Sequence, residues 1–174
     1  MKRIISAAIL LAFFCSIALY AQEAQKAQDT PKPKKEMPQS KNGPKFDPTR
    51  DSEKDLADAI AKTKENGKYI LLDVGGEWCI WCKRLDIFFY DNEELHTMLT
   101  NAFEVVKVNW SQENKNEKFL SKYPKIAGYP NFFILDSKGR FIQSQDTGVL
   151  ENGKNSYDIE KLKAFLLIWA PVKK

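Results

Sequence analysis

The sequence is poor in metal-binding and nucleophile-activating side chains: it has one histidine, His96, and three cysteines, Cys15, Cys79 and Cys82. A tetrahedral zinc site built on Cys79 and Cys82 needs two further ligands. Only Cys15 and His96 remain, and Cys15 lies in an apolar N-terminal run. A c-type haem attachment requires His directly after the second cysteine, where Lys83 stands. A Cys–His hydrolase needs both side chains within hydrogen-bond reach, whereas His96 falls mid-helix beyond the helix that follows Cys79. Neither a metal nor another cofactor is expected.

A surplus of one charge is lacking as well. The net charge is +4, but residues 22–50 carry seven Lys/Arg against four Asp/Glu, and residues 51–174 carry eighteen against nineteen. The globular part therefore offers no basic stripe to a phosphate backbone, and nucleic acid is excluded as an expected partner. No internal repeat is visible.

Long apolar runs are scarce, and one stands out. Met1-Lys2-Arg3 precedes the 18-residue run Ile4–Ala21, which carries no charge. Small residues at Ser16, Ala18 and Ala21 allow cleavage after Ala18 or Ala21. The run also lies near the lower limit of about 17–25 residues for a membrane span. Residues 1–21 thus read as a signal peptide or a membrane anchor. Either places the remainder in the periplasm or otherwise outside the cytoplasm, because the positive flank stays inside. Phe14 argues against lipidation at Cys15, which needs a small preceding residue.

Residues 22–50 hold five of the eight prolines among Lys, Gln and Asp, with almost no large apolar side chain. Such a segment cannot bury enough surface to offset its ordering entropy, so a flexible Pro/Lys-rich linker is expected.

From residue 51 to 174 the pattern is globular. Asp51 or Ser52 can cap a helix with Leu56, Ala59, Ile60 and Thr63 on one face and Asn66-Gly67 as its stop. Tyr69–Val74 is an apolar run of strand type, buried on both faces. After the segment Glu77-Trp78-Cys79-Ile80-Trp81-Cys82-Lys83, helical sequence runs through Leu85, Phe88 and Phe89. Another helix starts at Asp91, with Glu94 in position for a capping box. Phe103–Trp110 reads as a strand and Asn114–Lys122 as a helix. Asn131–Asp136 and Arg140–Gln145 form a hairpin around Ser137-Lys138-Gly139. Ile159, Leu162, Phe165, Leu166 and Trp169 line a last helix. The order βαβα then ββα predicts an α/β fold, a central mixed β-sheet with helices on both faces.

A strand ending in Asp73, a Trp-Cys-x-x-Cys-Lys turn into a helix, and Gly128-Tyr129-Pro130 before a hairpin resemble the thioredoxin superfamily over about residues 52–170. Within it the chain is similar to exported thioredoxin-like proteins and to the C-terminal domain of the transmembrane disulfide reductase. The resemblance implies a thioredoxin-like fold and a redox-active pair. Cys79, at a helix N-terminus, becomes the thiolate that attacks a substrate disulfide, and Cys82 resolves the mixed disulfide. By position, Asp73 matches the family's buried proton-transferring acid, Lys107 the lysine beside it, and Pro130 the cis-proline. Trp78, Trp81 and Tyr129 with Pro130 are the expected substrate contacts. Gly75-Gly76 replaces the usual aromatic-Ala pair, which predicts a more open wall.

Two functional classes follow. The first is a thiol–disulfide oxidoreductase serving disulfide-containing exported proteins, recharged by a membrane-borne thiol donor. It is expected to act as reductase or isomerase, because Ile80 and Trp81 donate no charge to the thiolate while Glu77 and Asp73 add negative charge nearby. The second is a redox-inert thioredoxin-like binding module that presents Trp78, Trp81 and Tyr129 as an aromatic patch.

Overall fold

The computed structural model describes residues 45–172. The expected signal or anchor segment, and the linker up to residue 44, lie outside the described residues. Among the described residues no helix is long and apolar enough to cross a membrane.

The first helix, α1 (Ser52–Asn66), begins at Asp51, whose carboxylate accepts the backbone N–H groups of Glu53 and Lys54. It stops at Gly67, whose left-handed φ of 71° suits a residue without Cβ. The strand β1 (Tyr69–Gly75) is buried along almost its whole length, as its unbroken apolar run requires. Helices α2 (Ile80–Asp91) and α3 (Glu93–Ala102) follow, then β2 (Phe103–Asn109), the single turn α4 (Glu117–Leu120), β3 (Asn131–Leu135), β4 (Phe141–Asp146), a 3-10 turn (Thr147–Leu150) and α5 (Ile159–Trp169).

The sheet order is β2-β1-β3-β4, with β1 parallel to β2 and antiparallel to β3. Alternation along β1 and β3 divides the interior in two. Leu71, Phe132 and Ile134 face α2, α3 and α5, packing with Leu85, Leu95 and Phe165. Ile70, Leu72, Val74, Phe133 and Leu135 face α1 and α4, packing with Ala59 and Phe119. This is the expected mixed sheet with helices on both faces. Each fully buried Leu or Phe contributes about 1.5–3 kcal/mol of hydrophobic stabilisation.

Two local expectations are corrected. The helix read over Asn114–Lys122 shrinks to Glu117–Leu120, because asparagine side chains satisfy the preceding loop instead. Asn114 Oδ1 accepts the N–H of Asn116, which sits at φ 49°, and the Asn116 amide donates to the Asn109 carbonyl. The capping box at Glu94 does not form. Asn92 caps α3 without a side-chain bond, and its amide donates back to the Phe88 carbonyl at 2.6 Å.

Candidate active site

The Gly75-Gly76-Glu77-Trp78 turn carries the chain from β1 into α2, and Cys79 occupies the N-cap. Its Sγ accepts the Cys82 backbone N–H at 3.1 Å, so one of the free donors of the first helical turn is aimed at sulfur. Cys79 and Cys82 form a disulfide, their Cα atoms 5.3 Å apart. Cys79 is 4% exposed and Cys82 1%.

One turn along α2 from Cys82, at Asp86, lies a buried charge cluster. Asp73 and Lys107 are register partners on β1 and β2, and Lys107 Nζ donates to Asp73 Oδ2 at 2.6 Å. The same ammonium donates to Asp86 on α2. Asp73 Oδ1 is buried without a partner, leaving one lone acceptor in the site. Burial pushes Lys107 down, but its two carboxylate partners outweigh that and the net direction is up. For Asp86 burial dominates, and repulsion by Asp73 adds to it. Together they outweigh the attraction of Lys107 and raise its pKa to about 6. The cluster therefore joins a buried ion pair to a third carboxylate, Asp86, whose pKa is raised to about 6.

The Asp86 shift has a consequence for stability. A raised carboxylate pKa means the folded state binds more protons than the unfolded chain between about pH 4 and about 6, so stability falls as pH rises through that window. Urea unfolding of wild type and Asp86→Asn at pH 4 and 7 should therefore show wild type losing on the order of 2 kcal/mol relative to the variant. Parallel pH profiles would remove Asp86 as the titrating group.

Tyr129 and Pro130, joined by a cis peptide, enter β3 beside the pair. The Pro130 carbonyl accepts the Thr147 hydroxyl at 2.6 Å, which ties this loop to the end of β4. Trp78 is 54% exposed, and its Nε1 donates to the Trp110 carbonyl at 2.7 Å. Trp110 stacks on Tyr129 with centroids 5.1 Å apart, and Trp78 meets both rings edge-on. Trp81, like Tyr129, packs against the cysteine cluster. Its ring meets Tyr157 edge-on and carries the Arg84 guanidinium on its face. Among the described residues no ring pair joins Trp81 directly to Trp78 or Tyr129. His96 is exposed on α3, as its place in the sequence indicates.

The open wall expected at Gly75-Gly76 is also corrected, for a steric reason. A Cβ at Gly75 would lie 2.5 Å from Cys82 Sγ and 3.0 Å from the tip of the Phe46 ring. A Cβ at Gly76 would lie 2.7 Å from the Trp110 carbonyl oxygen. The space the glycines leave is filled by distant residues.

Phe46, Asp86, Trp110 and Thr147 are the site residues that sequence reasoning missed. Phe46 is the sole aromatic of residues 22–50, and Asp86 follows Cys82 by one helical turn. Those were the available signals. Trp110 and Thr147 carry none.

Chemically, the site can cycle between disulfide and dithiol beside an exposed aromatic surface, with the buried Lys107 joined to the same helix through Asp86. The family model described as thioredoxin-like matches residues 51–137, half of the 174-residue chain, and the chain belongs to that family. Disulfide bond reductase DsbH of Chlamydia pneumoniae is 26% identical over 119 residues, covering 63% of this chain and 69% of that protein. Thiol:disulfide interchange protein DsbD of Actinobacillus pleuropneumoniae serotype 5b (strain L20) is 27% identical over 90 residues. That match covers 51% of this chain but spans only 15% of DsbD's length. The solved disulphide isomerase of Xylella fastidiosa Temecula1 superposes with a TM-score of 0.62 at 25% identity, covering 74% of this chain and 98% of that one.

Proposed function

We propose that this protein is a thiol–disulfide oxidoreductase that works outside the cytoplasm as a reductase or isomerase on exported proteins. The observation that carries the reading is the Cys79–Cys82 disulfide at the N-terminus of α2, the helix whose Asp86 joins the buried Asp73–Lys107 pair. The names of the relatives, a disulfide bond reductase and a thiol:disulfide interchange protein, support it.

In the forward step the Cys79 thiolate attacks one sulfur of a substrate disulfide. That S–S bond breaks, a Cys79–substrate disulfide forms, and one substrate thiolate leaves. Cys82 then attacks Cys79 Sγ, the mixed disulfide breaks, and the second substrate thiolate leaves. The proton lost by Cys82 is taken by Asp73, which Lys107 holds in place. The substrate gains two electrons and the pair is oxidised. A dithiol donor on the membrane returns two electrons to it. Trp78, Tyr129 and the backbone at Pro130 form the surface along which an extended substrate segment lies.

The full chain should reduce insulin with dithiothreitol as donor, and equilibration against glutathione should give a potential on the reducing side. A value above about −150 mV would make the protein an oxidase. The second reading, a redox-inert binding module, is favoured by the exposed Trp78 beside Trp110 and Tyr129. Absence of insulin reduction by a folded chain would select it.

A further inference from the structure

The segment just ahead of α1, residues 45–50, belongs by composition to the linker, yet it packs on the active site. Phe46 is 3% exposed and lies in neither main core. It forms a small separate cluster with Cys79 and Cys82, with Trp81 and Tyr129 at its margin. Its ring centroid is 4.5 Å from Lys107 Nζ, a distance at which a ring face attracts an ammonium. Its backbone N–H donates to Glu77 Oε1 at 3.1 Å, fastening the segment to the active-site turn. On the other side the Pro48 carbonyl accepts the Asn114 amide at 2.8 Å, and the Asp47 carboxylate closes a turn by accepting the Thr49 N–H and hydroxyl. Gly75 makes the arrangement sterically allowed, since any Cβ there would strike both the ring and Cys82 Sγ.

An ordinary core residue would meet aliphatic side chains from helices and sheet. Phe46 instead meets a reactive disulfide and a buried cation. Excluding water there strengthens the Lys107–Asp73 attraction and removes the path by which small reagents reach sulfur.

We infer that Phe46 is a positioning residue for the exchange reaction. It acts as a cap, supplied by the chain ahead of α1, that keeps water and small thiols off Cys82 and the Lys107–Asp73 pair. The inference rests on the oxidoreductase reading and deepens it. A mixed disulfide on Cys79 is then resolved by Cys82 in a closed environment, and a foreign thiol cannot capture Cys82 first.

The experiment measures iodoacetamide alkylation of Cys82 in the full-length Cys79→Ala protein, with peptide mass separating Cys82 from Cys15. Adding Phe46→Ala should speed the reaction by about tenfold or more, because a buried thiol becomes accessible. Phe46→Leu, which restores apolar cover without the ring, should stay within about threefold of the parent. A rate for Phe46→Ala within about twofold of the parent, or one equal to that of Phe46→Leu, would overturn the cap. So would a gain that grows with sub-denaturing urea, since that marks unfolding and not uncovering. If Phe46→Ala does not fold, Glu77→Ala carries the test. It removes the exposed fastening and should raise the rate about threefold, and no change would overturn the inference. Insulin reduction by the wild-type chain keeps the two readings apart. Its absence would sink the oxidoreductase reading, while the alkylation rates still report on the cap.

Discussion

Replacing Cys82 with serine is expected to stop turnover while trapping substrate on Cys79 as a mixed disulfide, and replacing Cys79 is expected to abolish both. The reason lies in the start of α2. Cys79 is the N-cap, its sulfur accepts a backbone N–H of the first turn, and the positive end of the helix favours its thiolate. Cys82 lies inside the first turn, is almost fully buried, and has the Phe46 ring against it. With serine at residue 82 the first exchange still proceeds, but no intramolecular thiol breaks the Cys79–substrate bond. The adduct then persists until an external thiol arrives. Multiple-turnover insulin reduction should fall by about 10³-fold or more for Cys79→Ser, since removing a covalent nucleophile can cost up to about 10⁶-fold. Non-reducing gels of Cys82→Ser should show adducts that disappear with dithiothreitol. Adducts on Cys79→Ser and none on Cys82→Ser would reverse the roles.

Much of this geometry is legible in the sequence because it is local. The run Tyr69–Val74 has no polar residue until Asp73, so β1 reads as a central strand carrying one buried acid. The pairing of Asp73 with Lys107 follows once β1 and β2 are parallel neighbours. Phe46 was not legible for a compositional reason. Averaged over residues 22–50, one aromatic among five prolines and seven basic residues reads as linker, and nothing nearby indicates that the ring docks in a gap left by Gly75. Asp86 was legible in principle, since one turn after Cys82 on the same helix it must face the same strand. Thr147 depends on tertiary register. Its hydroxyl reaches the Pro130 carbonyl only because β4 runs antiparallel to β3, with Asp146 opposite Asn131. The edge-on contact of Trp81 with Tyr157 likewise depends on tertiary packing and carries no signal in the sequence.

Lys107→Met is expected to cost more stability than any other single change at the site, and to cost it in a pH-dependent way. The Lys107 side chain is 6% exposed and is the cation bonded to both Asp73 and Asp86. Methionine preserves most of the volume, so packing is largely kept while two carboxylates are left facing each other in the interior. Breaking a buried pair from one side typically costs about 3–5 kcal/mol, because the remaining charge is uncompensated. Part of that cost can be relieved by protonation. Burial and Asp73 already hold Asp86 near 6, and removing the attraction of Lys107 lets its pKa rise further. The folded variant then binds a proton that the unfolded chain releases, so its stability is greatest at low pH and is lost as pH rises through the raised folded value. Denaturant unfolding should therefore show a larger deficit against wild type at pH 8 than at pH 5. Adding Asp86→Asn to Lys107→Met should recover part of the deficit at pH 8, since one of the two uncompensated charges is gone. A deficit below about 1 kcal/mol at pH 8, the scale of an exposed ion pair, would mean that water reaches this cluster and that it is not closed.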